Sequence, residues 1–214
     1  MNKNIISRLI VAFLVTLTLL IASRTMAQVT PAGSVTSLTG DVYRAPWNHP
    51  VPATPRMTVD VGDRVVTGAN SRVTIKLTDN SKLELDESAS QVIDNQAVTA
   101  TSRNTKLSLF SGLVRSFVSY TSSPTPNFEV HTPNAVASAR GTEYDTSTGT
   151  QPPSTMSEED RKKYKDCRRF TQVSVYEGTV EVQNTTNPDG DRSRCLRVTR
   201  RPWYADLRLL SRAI

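Results

Sequence analysis

The sequence predicts an all-β protein, and three features of its pattern support that class. From Gly33 onward, short runs rich in Val, Thr, Leu and Ile are separated by Gly, Pro, Asn and Asp, as is typical of strands joined by turns. Within these runs apolar and polar side chains alternate, as in a strand with one buried face. Long stretches with a helical period are absent. We expect one twisted β-solenoid-like or β-sandwich domain with short peripheral helices, because alternation does not separate the two architectures.

Residues 1–27 have the layout of a secretory signal peptide. Lys3 and Arg8 lie near the start, residues 9–22 are nearly all apolar, and small residues precede a cleavage site between Ala27 and Gln28. This apolar run is shorter than the ~20 residues that a membrane-crossing helix needs. We therefore expect cleavage and a bacterial protein that is periplasmic or secreted, with no stable membrane insertion after processing. An uncleaved anchor is the alternative.

The exported part has room for one domain and carries little net charge. Beyond the leader, 23 basic residues stand against 20 acidic ones, so the high isoelectric point is partly due to the leader. A nucleic-acid partner is not expected, because it would require basic residues gathered on one face. We expect a β domain over residues 28–183 and a C-terminal extension, 184–214, packed on it.

Cys167 and Cys195 are the only two cysteines, and both lie in the exported part. Because oxidation is the usual fate of a cysteine pair outside the cytoplasm, we expect a disulfide that links the extension to the domain. Two free or metal-binding thiols are the alternative, although neither cysteine has a second ligand at metal spacing beside it.

Two hairpins are predicted from alternation. A three-residue loop at 79–81 sets Leu77 opposite Leu83 and Lys76 opposite Glu84, which keeps the apolar residues on one face.

The second hairpin is expected to turn at Glu177-Gly178. It would place Val175 opposite Val180 and Val173 opposite Val182, so that valines fill every inward position.

Other elements follow from the same reasoning. Pro46–Pro55 is expected to be a loop, because proline removes a ladder donor. A loop at 147–167 is expected to contain a short helix capped by Ser157, and residues 203–212 to form another. The remaining strands are predicted at 33–43, 63–67, 89–93, 106–110, 113–120, 127–132, 136–139 and 142–146.

The order of several segments resembles the FecR domain, named for the periplasmic regulator of iron-citrate uptake. The resemblance covers about residues 33–183, and its most specific piece is the stretch Phe128–Tyr144, with a threonine-proline corner followed by Arg-Gly-Thr-Glu and an aromatic residue. It implies a regulatory or signalling role in the cell envelope. The motif residues, expected to be structural, are Gly62, Asp63, Gly112, Thr132, Pro133, Arg140, Gly141, Thr142, Glu143, Glu177 and Gly178.

Enzymatic chemistry finds little support in the sequence. His49 and His131 lack a metal-spaced partner, and no nucleophile elbow, phosphate loop or haem attachment motif is present. We expect no catalytic residue, no metal and no cofactor. The segment 140–142 is the best candidate for a functional position, although a structural role for its glycine and for the arginine stem is favoured.

Three hypotheses of function remain open. The first is a non-catalytic module that binds an envelope protein of unknown identity. The second is a carbohydrate-binding or hydrolytic envelope protein, which requires Trp47 or Tyr204 exposed beside carboxylates. The third is a membrane-tethered sigma-factor regulator, which requires that residues 1–27 are retained.

Overall fold

The computed structural model describes residues 29–46, 49–99, 102–120, 127–152, 156–185, 195–200 and 205–210. Strands dominate these residues, so the all-β prediction is confirmed. None of the helical structure in these ranges is long and apolar enough to cross a membrane. The expected signal peptide and its cleavage site at Ala27 and Gln28 lie outside the described residues.

The described residues form fifteen strands and one helix, numbered in chain order. The strands of the N-terminal half are β1 (Pro31–Thr39), β2 (Val42–Ala45), β3 (Val51–Pro52), β4 (Thr58–Asp60), β5 (Arg64–Thr67), β6 (Arg72–Leu77), β7 (Lys82–Leu85) and β8 (Ser90–Val98). The C-terminal half contains β9 (Arg103–Phe117), β10 (Phe128–His131), β11 (Ala135–Ala139), β12 (Glu143–Gly149), α1 (Glu158–Lys163), β13 (Phe170–Asn184), β14 (Leu196–Arg200) and β15 (Ala205–Leu210).

Five strands of the C-terminal half close into a barrel. Strand β9 pairs with β10 in parallel, and antiparallel pairing continues through β11, β13 and β12 back to β9. The structure is therefore a closed barrel with additional strands. It is not clearly either of the two predicted architectures, the solenoid or the sandwich. Closure removes two free strand edges, which an open sheet would expose to other chains.

The N-terminal strands extend the barrel as two sheets that start from β9. One sheet runs from β9 through β7, β6 and β1 to β4. The other runs from β9 through β8, β5 and β2 to β3. The first sheet continues on the other side of β9 through β12 and the first arm of β13 to β14, and we call it sheet A. The second continues through β10, β11 and the second arm of β13 to β15, and we call it sheet B. Strand β3 lies within Pro46–Pro55, which was predicted to be a loop because of its prolines, so that prediction is wrong at residues 51–52.

Strands β9 and β13 each belong to both sheets, because each bends at a glycine. Residues up to Ser111 of β9 pair within sheet B and residues from Gly112 pair within sheet A. In β13 the change of partner occurs at Gly178. Both glycines have a positive φ, +82° and +80°, a conformation that favours glycine over residues with a Cβ.

The hairpin predicted at Glu177-Gly178 is therefore wrong, since these residues form a corner inside one continuous strand. Val175 lies opposite Tyr144 and Val180 lies opposite Ala139. Both valines are buried, as they would be in a hairpin. Alternation alone therefore does not distinguish a bend within one strand from a reversal of the chain.

The same correction applies to 106–110 and 113–120, which were predicted as separate strands. They are the two arms of β9, and the bend between them lies at Gly112.

The β6–β7 hairpin is confirmed, but its predicted register is wrong by one pair. Its loop is residues 78–80, and Leu77 lies opposite Ser81 through an amide-to-carbonyl hydrogen bond of 2.8 Å. Lys76 faces Lys82 instead of Glu84. The inner face stays apolar in both registers, so pattern alone does not choose between them.

A single continuous core joins the barrel to the sheets beside it. It is lined from both halves by inward-facing aliphatic side chains, together with the fully buried rings of Phe128 and Tyr144. Continuity of this core couples the corners of β9 and β13 to the rest of the domain.

The C-terminal extension pairs with both arms of β13. Strand β14 lies parallel to the first arm and β15 parallel to the second. The Cys167–Cys195 disulfide is present, with the two Cα atoms 5.6 Å apart. Residues 205–210 form a strand, so the helix predicted at 203–212 is wrong there.

The short helix predicted within the 147–167 loop is confirmed as α1. The Ser157 side chain caps it by accepting a hydrogen bond from the backbone amide of Asp160. Acidic residues occupy its first turn and basic residues its last turn, an arrangement that complements the helix dipole.

Candidate functional site

The Arg-Gly-Thr-Glu segment and the Gly178 corner meet at one place on the surface. A Cβ added to Gly178 would lie 2.8 Å from the carbonyl oxygen of Gly141 and 2.9 Å from Oγ1 of Thr142. Thr142 also donates a hydrogen bond of 3.0 Å to the carbonyl of Thr179. Only glycine permits this close approach of two backbones, so these motif residues are packed against each other for a structural reason.

A surface groove of about 380 Å³ opens beside this contact. We call it the corner groove. Its walls are contributed by the β6–β7 loop, the end of β9, the start of β12 and the corner of β13. It is lined by Asn80, Lys82, residues 117–120, residues 141–143 and Glu177.

A row of side chains crosses the strands of sheet A, and all but its first member line the corner groove. Lys76 lies opposite Lys82, Lys82 opposite Phe117, Phe117 opposite Glu143, and Glu143 opposite Glu177. We call these five residues the charged row. It is basic at one end, aromatic in the middle and acidic at the other end.

The two ends of the charged row differ in how their charges are balanced. Lys82 lies 3.8 Å above the centre of the Phe117 ring, and its Nζ is 2.9 Å from Oε1 of Glu84. Among the described residues, neither Glu143 nor Glu177 takes part in an ion pair. Lys76 also forms no ion pair there, so an ion pair balances only part of the basic end and none of the acidic end.

An ion pair holds the inner side of the groove wall. Arg103 Nη1 lies 3.1 Å from Oδ2 of Asp79 and donates a hydrogen bond of 2.6 Å to the carbonyl of Ser119. Both charged side chains are only 4% exposed. Because Ser119 lines the groove and Asp79 is in the β6–β7 loop, this pair fixes two walls relative to each other.

The next row of sheet A contains a second polar network. Arg115 donates to both carboxylate oxygens of Asp145 at 2.7 and 2.9 Å, and the Tyr176 hydroxyl donates to the same carboxylate at 2.7 Å. The hydrogen bonds to Asp145 raise the pKa of Arg115. Burial and the hydrogen bond to Asp145 raise the pKa of Tyr176. This network joins β9, β12 and β13 below the charged row.

The remaining motif residues have structural surroundings and do not line the corner groove. Asp63, which follows Gly62 (φ +92°), accepts hydrogen bonds from Arg44 Nε at 2.5 Å and from the Asp60 amide at 2.7 Å. Gly112 packs against Ala89.

Two further motif segments also support the fold. Thr132, beside Pro133, accepts from the Ala135 amide at 3.0 Å and closes a turn. The Arg140 guanidinium carbon lies 6.0 Å from the centre of the Tyr120 ring.

The structure thus brings Gly141, Thr142, Glu143, Glu177 and Gly178 together and separates the other motif residues from them. Sequence reasoning missed the basic and aromatic parts of the site, Lys76, Lys82, Phe117 and Tyr120. Alternation places them on the outer face, but their alignment depends on strand order and register. Tyr120, 76% exposed, carries the only local signal, since large exposed aromatics often mark contact surfaces.

Reactive groups are not gathered in the described part of the chain. No cluster of three or more His, Cys, Asp or Glu side chains with the geometry of a metal site occurs there. His131 lies 2.6 Å from the Glu129 carboxylate and away from the groove lining. Trp47, Trp203 and Tyr204, on which the carbohydrate hypothesis depends, fall outside the residues whose side chains are described.

The fold and the site define a small all-β domain with a charged surface groove. A search of family models matches residues 63–181 to the FecR protein family, and the chain belongs to that family. FecR domains have regulatory and signalling roles in the cell envelope. No curated protein and no solved structure matches the chain.

Proposed function

We propose that this chain is a non-catalytic, periplasmic binding module of the bacterial cell envelope, and that it regulates or signals by binding a partner protein at the corner groove. The observation that supports this proposal is the charged row, which presents both signs of charge around an exposed aromatic surface. Complementary charge steers association and selects among partners.

Family membership supports the regulatory part of the proposal. The disulfide supports the location, because such bonds persist in oxidising compartments and are rare in the cytosol. The leader-like composition of residues 1–27 agrees with export.

Affinity capture from bacterial envelope extracts tests the proposal. The full exported chain is immobilised under non-reducing conditions, and captured proteins are identified and quantified by mass spectrometry. A double variant, Glu143→Gln with Glu177→Gln, is compared with a matched control, Glu158→Gln with Glu159→Gln on α1. Each variant neutralises two carboxylates, and the two of the control are remote from the groove lining.

We expect one protein to be captured in comparable amounts by the wild type and the α1 control and to be lost from the groove variant. Repeated captures that enrich no partner, or a partner captured equally by the groove variant, would overturn the proposal.

A further inference from the structure

The charged row contains two unfavourable neighbours in the free protein. Lys76 lies directly opposite Lys82, and Glu143 lies directly opposite Glu177. Like charges in directly opposed cross-strand positions destabilise a sheet. Glu84, whose carboxylate lies 2.9 Å from Lys82, already offsets part of the repulsion at the basic end. A ligand with the opposite polarity would relieve what remains there and the repulsion between the two glutamates, whereas a ligand of uniform charge would relieve one end and worsen the other.

The distances along the row limit the size of such a ligand. Adjacent strands are about 4.8 Å apart, and three such steps separate Lys82 from Glu177. The backbone positions of these two residues are therefore about 14 Å apart along the sheet. A single zwitterionic amino acid is too short to reach both. In an extended peptide, side chains four residues apart lie on one face and are separated by about 13 Å.

The middle of the row determines what should lie between the two charges. The Phe117 ring forms part of the groove floor, and Tyr120 lies beside it on the wall. An apolar or aromatic side chain two residues from each charge would lie over this surface and bury apolar area.

We infer that the corner groove binds an extended peptide segment of the pattern basic–x–apolar–x–acidic, laid across the strands of sheet A. The basic side chain lies by Glu143 and Glu177, and the acidic side chain lies by Lys82. The apolar side chain lies against Tyr120 and the part of Phe117 that Lys82 leaves uncovered. This inference rests on the proposed function and specifies the part of the partner that the groove recognises.

Three synthetic capped pentapeptides test the pattern, with fluorescence anisotropy as the measurement. The first has lysine, phenylalanine and glutamate at positions one, three and five, with alanine between. The second has the same composition with lysine and glutamate adjacent. The third carries glutamate at both ends. We expect the first peptide to bind the wild type at least tenfold more tightly than the other two, and its affinity to fall as salt is raised.

Charge reversal provides the decisive variant. In the double variant Glu143→Lys with Glu177→Lys the whole row is basic, so the doubly acidic peptide should become the tightest of the three. The double variant Glu158→Lys with Glu159→Lys on α1 makes the same charge change away from the groove lining and should keep the wild-type order. Thermal unfolding shows that each variant is folded. Equal binding of the three peptides, or an order unchanged by reversal in the groove, would overturn the inference.

The failure of this inference can be told apart from failure of the proposed function. If affinity capture yields a partner but the peptides show no preference, the pattern is wrong and the protein-binding role stands. If the peptides show the expected order while no envelope protein is captured, the groove chemistry stands and the proposed role fails.

Discussion

The corners of β9 and β13 are built alike. In each strand an apolar residue is followed by an aromatic residue, one variable residue, glycine, a second variable residue and valine, at 109–114 and 175–180. The first and last side chains are buried in both. An arginine from the next strand but one lies 4.7 Å from the aromatic ring centre in both, Arg64 above Phe110 and Arg115 above Tyr176.

The two corners differ in what surrounds that shared frame. The variable residue before glycine is Ser111 in β9, whereas in β13 it is Glu177, which lines the groove. Arg64 forms no ion pair among the described residues, but Arg115 is paired with Asp145. The same local pattern therefore forms both bends. The candidate site lies at the β13 bend, where the residue before glycine is the charged Glu177 instead of the small polar Ser111.

The largest expected effect is at the β9 corner. In Gly112→Ala the new Cβ would lie 2.4 Å from the Cα of Ala89, at a φ of +82°. We expect a loss of about 3 to 5 kcal/mol in the free energy of unfolding, because backbone strain and overpacking add together. Denaturant unfolding measures it.

Two other glycines separate these contributions. Gly62 has a positive φ with no atom within 4 Å of an added Cβ, so Gly62→Ala should cost about 1 kcal/mol. Gly149→Ala should cost under about 0.5 kcal/mol, because its nearest atom is 3.6 Å away and its φ is not positive. Equal losses at all three positions would contradict the steric explanation.

Gly178→Ala should lower the free energy of unfolding by about 2 to 3 kcal/mol, less than Gly112→Ala. The added Cβ would meet the Gly141 carbonyl at 2.8 Å and the Thr142 hydroxyl at 2.9 Å, and the hydroxyl can rotate away. Because Glu177 is adjacent, the affinity for the bipolar peptide should also fall, while Gly112→Ala should leave the affinity of the folded fraction unchanged. Anisotropy at a temperature where both variants are folded measures this, and equal loss of affinity in both would argue against a special role for the β13 corner.

The arginines at the two corners should differ in their contribution to stability. Arg115→Gln removes two charge-assisted hydrogen bonds to Asp145 and should cost about 1 to 2 kcal/mol, allowing for its partial exposure. Arg64→Gln removes an arginine–ring contact alone and should cost under about 1 kcal/mol. Chemical denaturation of the two variants gives the comparison, and an equal cost would mean that the Asp145 pair adds little.

The smallest expected effect is a difference in alkaline stability. Burial raises the pKa of Tyr176 in the folded protein, so above pH ~10 the unfolded tyrosine loses its proton before the folded one does. Stability should be fully present below that pH and should decline as pH rises through the folded pKa.

Tyr176→Phe should make this alkaline decline shallower. The buried Tyr144, whose pKa is also raised by desolvation, keeps part of the decline. Phe110→Leu, at the matching position of the β9 corner, removes no ionisable group and should leave the slope unchanged. Thermal unfolding midpoints from pH 8 to 11 measure the alkaline decline of both variants. A decline in Tyr176→Phe as steep as in the wild type would contradict the attribution to Tyr176.

Local alternation predicted much of the fold. Most of the strands, the β6–β7 hairpin and the cap at Ser157 follow from side-chain parity and turn chemistry, which act over a few residues. The register of that hairpin did not follow, because both registers keep Ile75 and Leu83 buried.

Half of the candidate site lies in motif segments that the sequence singled out, although the sequence predicted a structural role for them. Glu143 and Glu177 belong to motif segments, whereas Lys82 and Phe117 are far from them in sequence and join the site only through pairing with β9. No local pattern contains that pairing, because strand order is set by closure of the barrel.

The sequence by itself determined that this chain is a FecR-type β protein with an inward face of valine, leucine and isoleucine, and with a disulfide from Cys167, within the matched region, to Cys195 beyond it. Tertiary structure alone decided that the Glu-Gly step bends a strand instead of reversing it, and that two lysines, a phenylalanine and two glutamates form one row. The physical reason is that alternation specifies only which face of a strand is buried, while the partner of each strand depends on which backbone edges remain free once the whole barrel has closed.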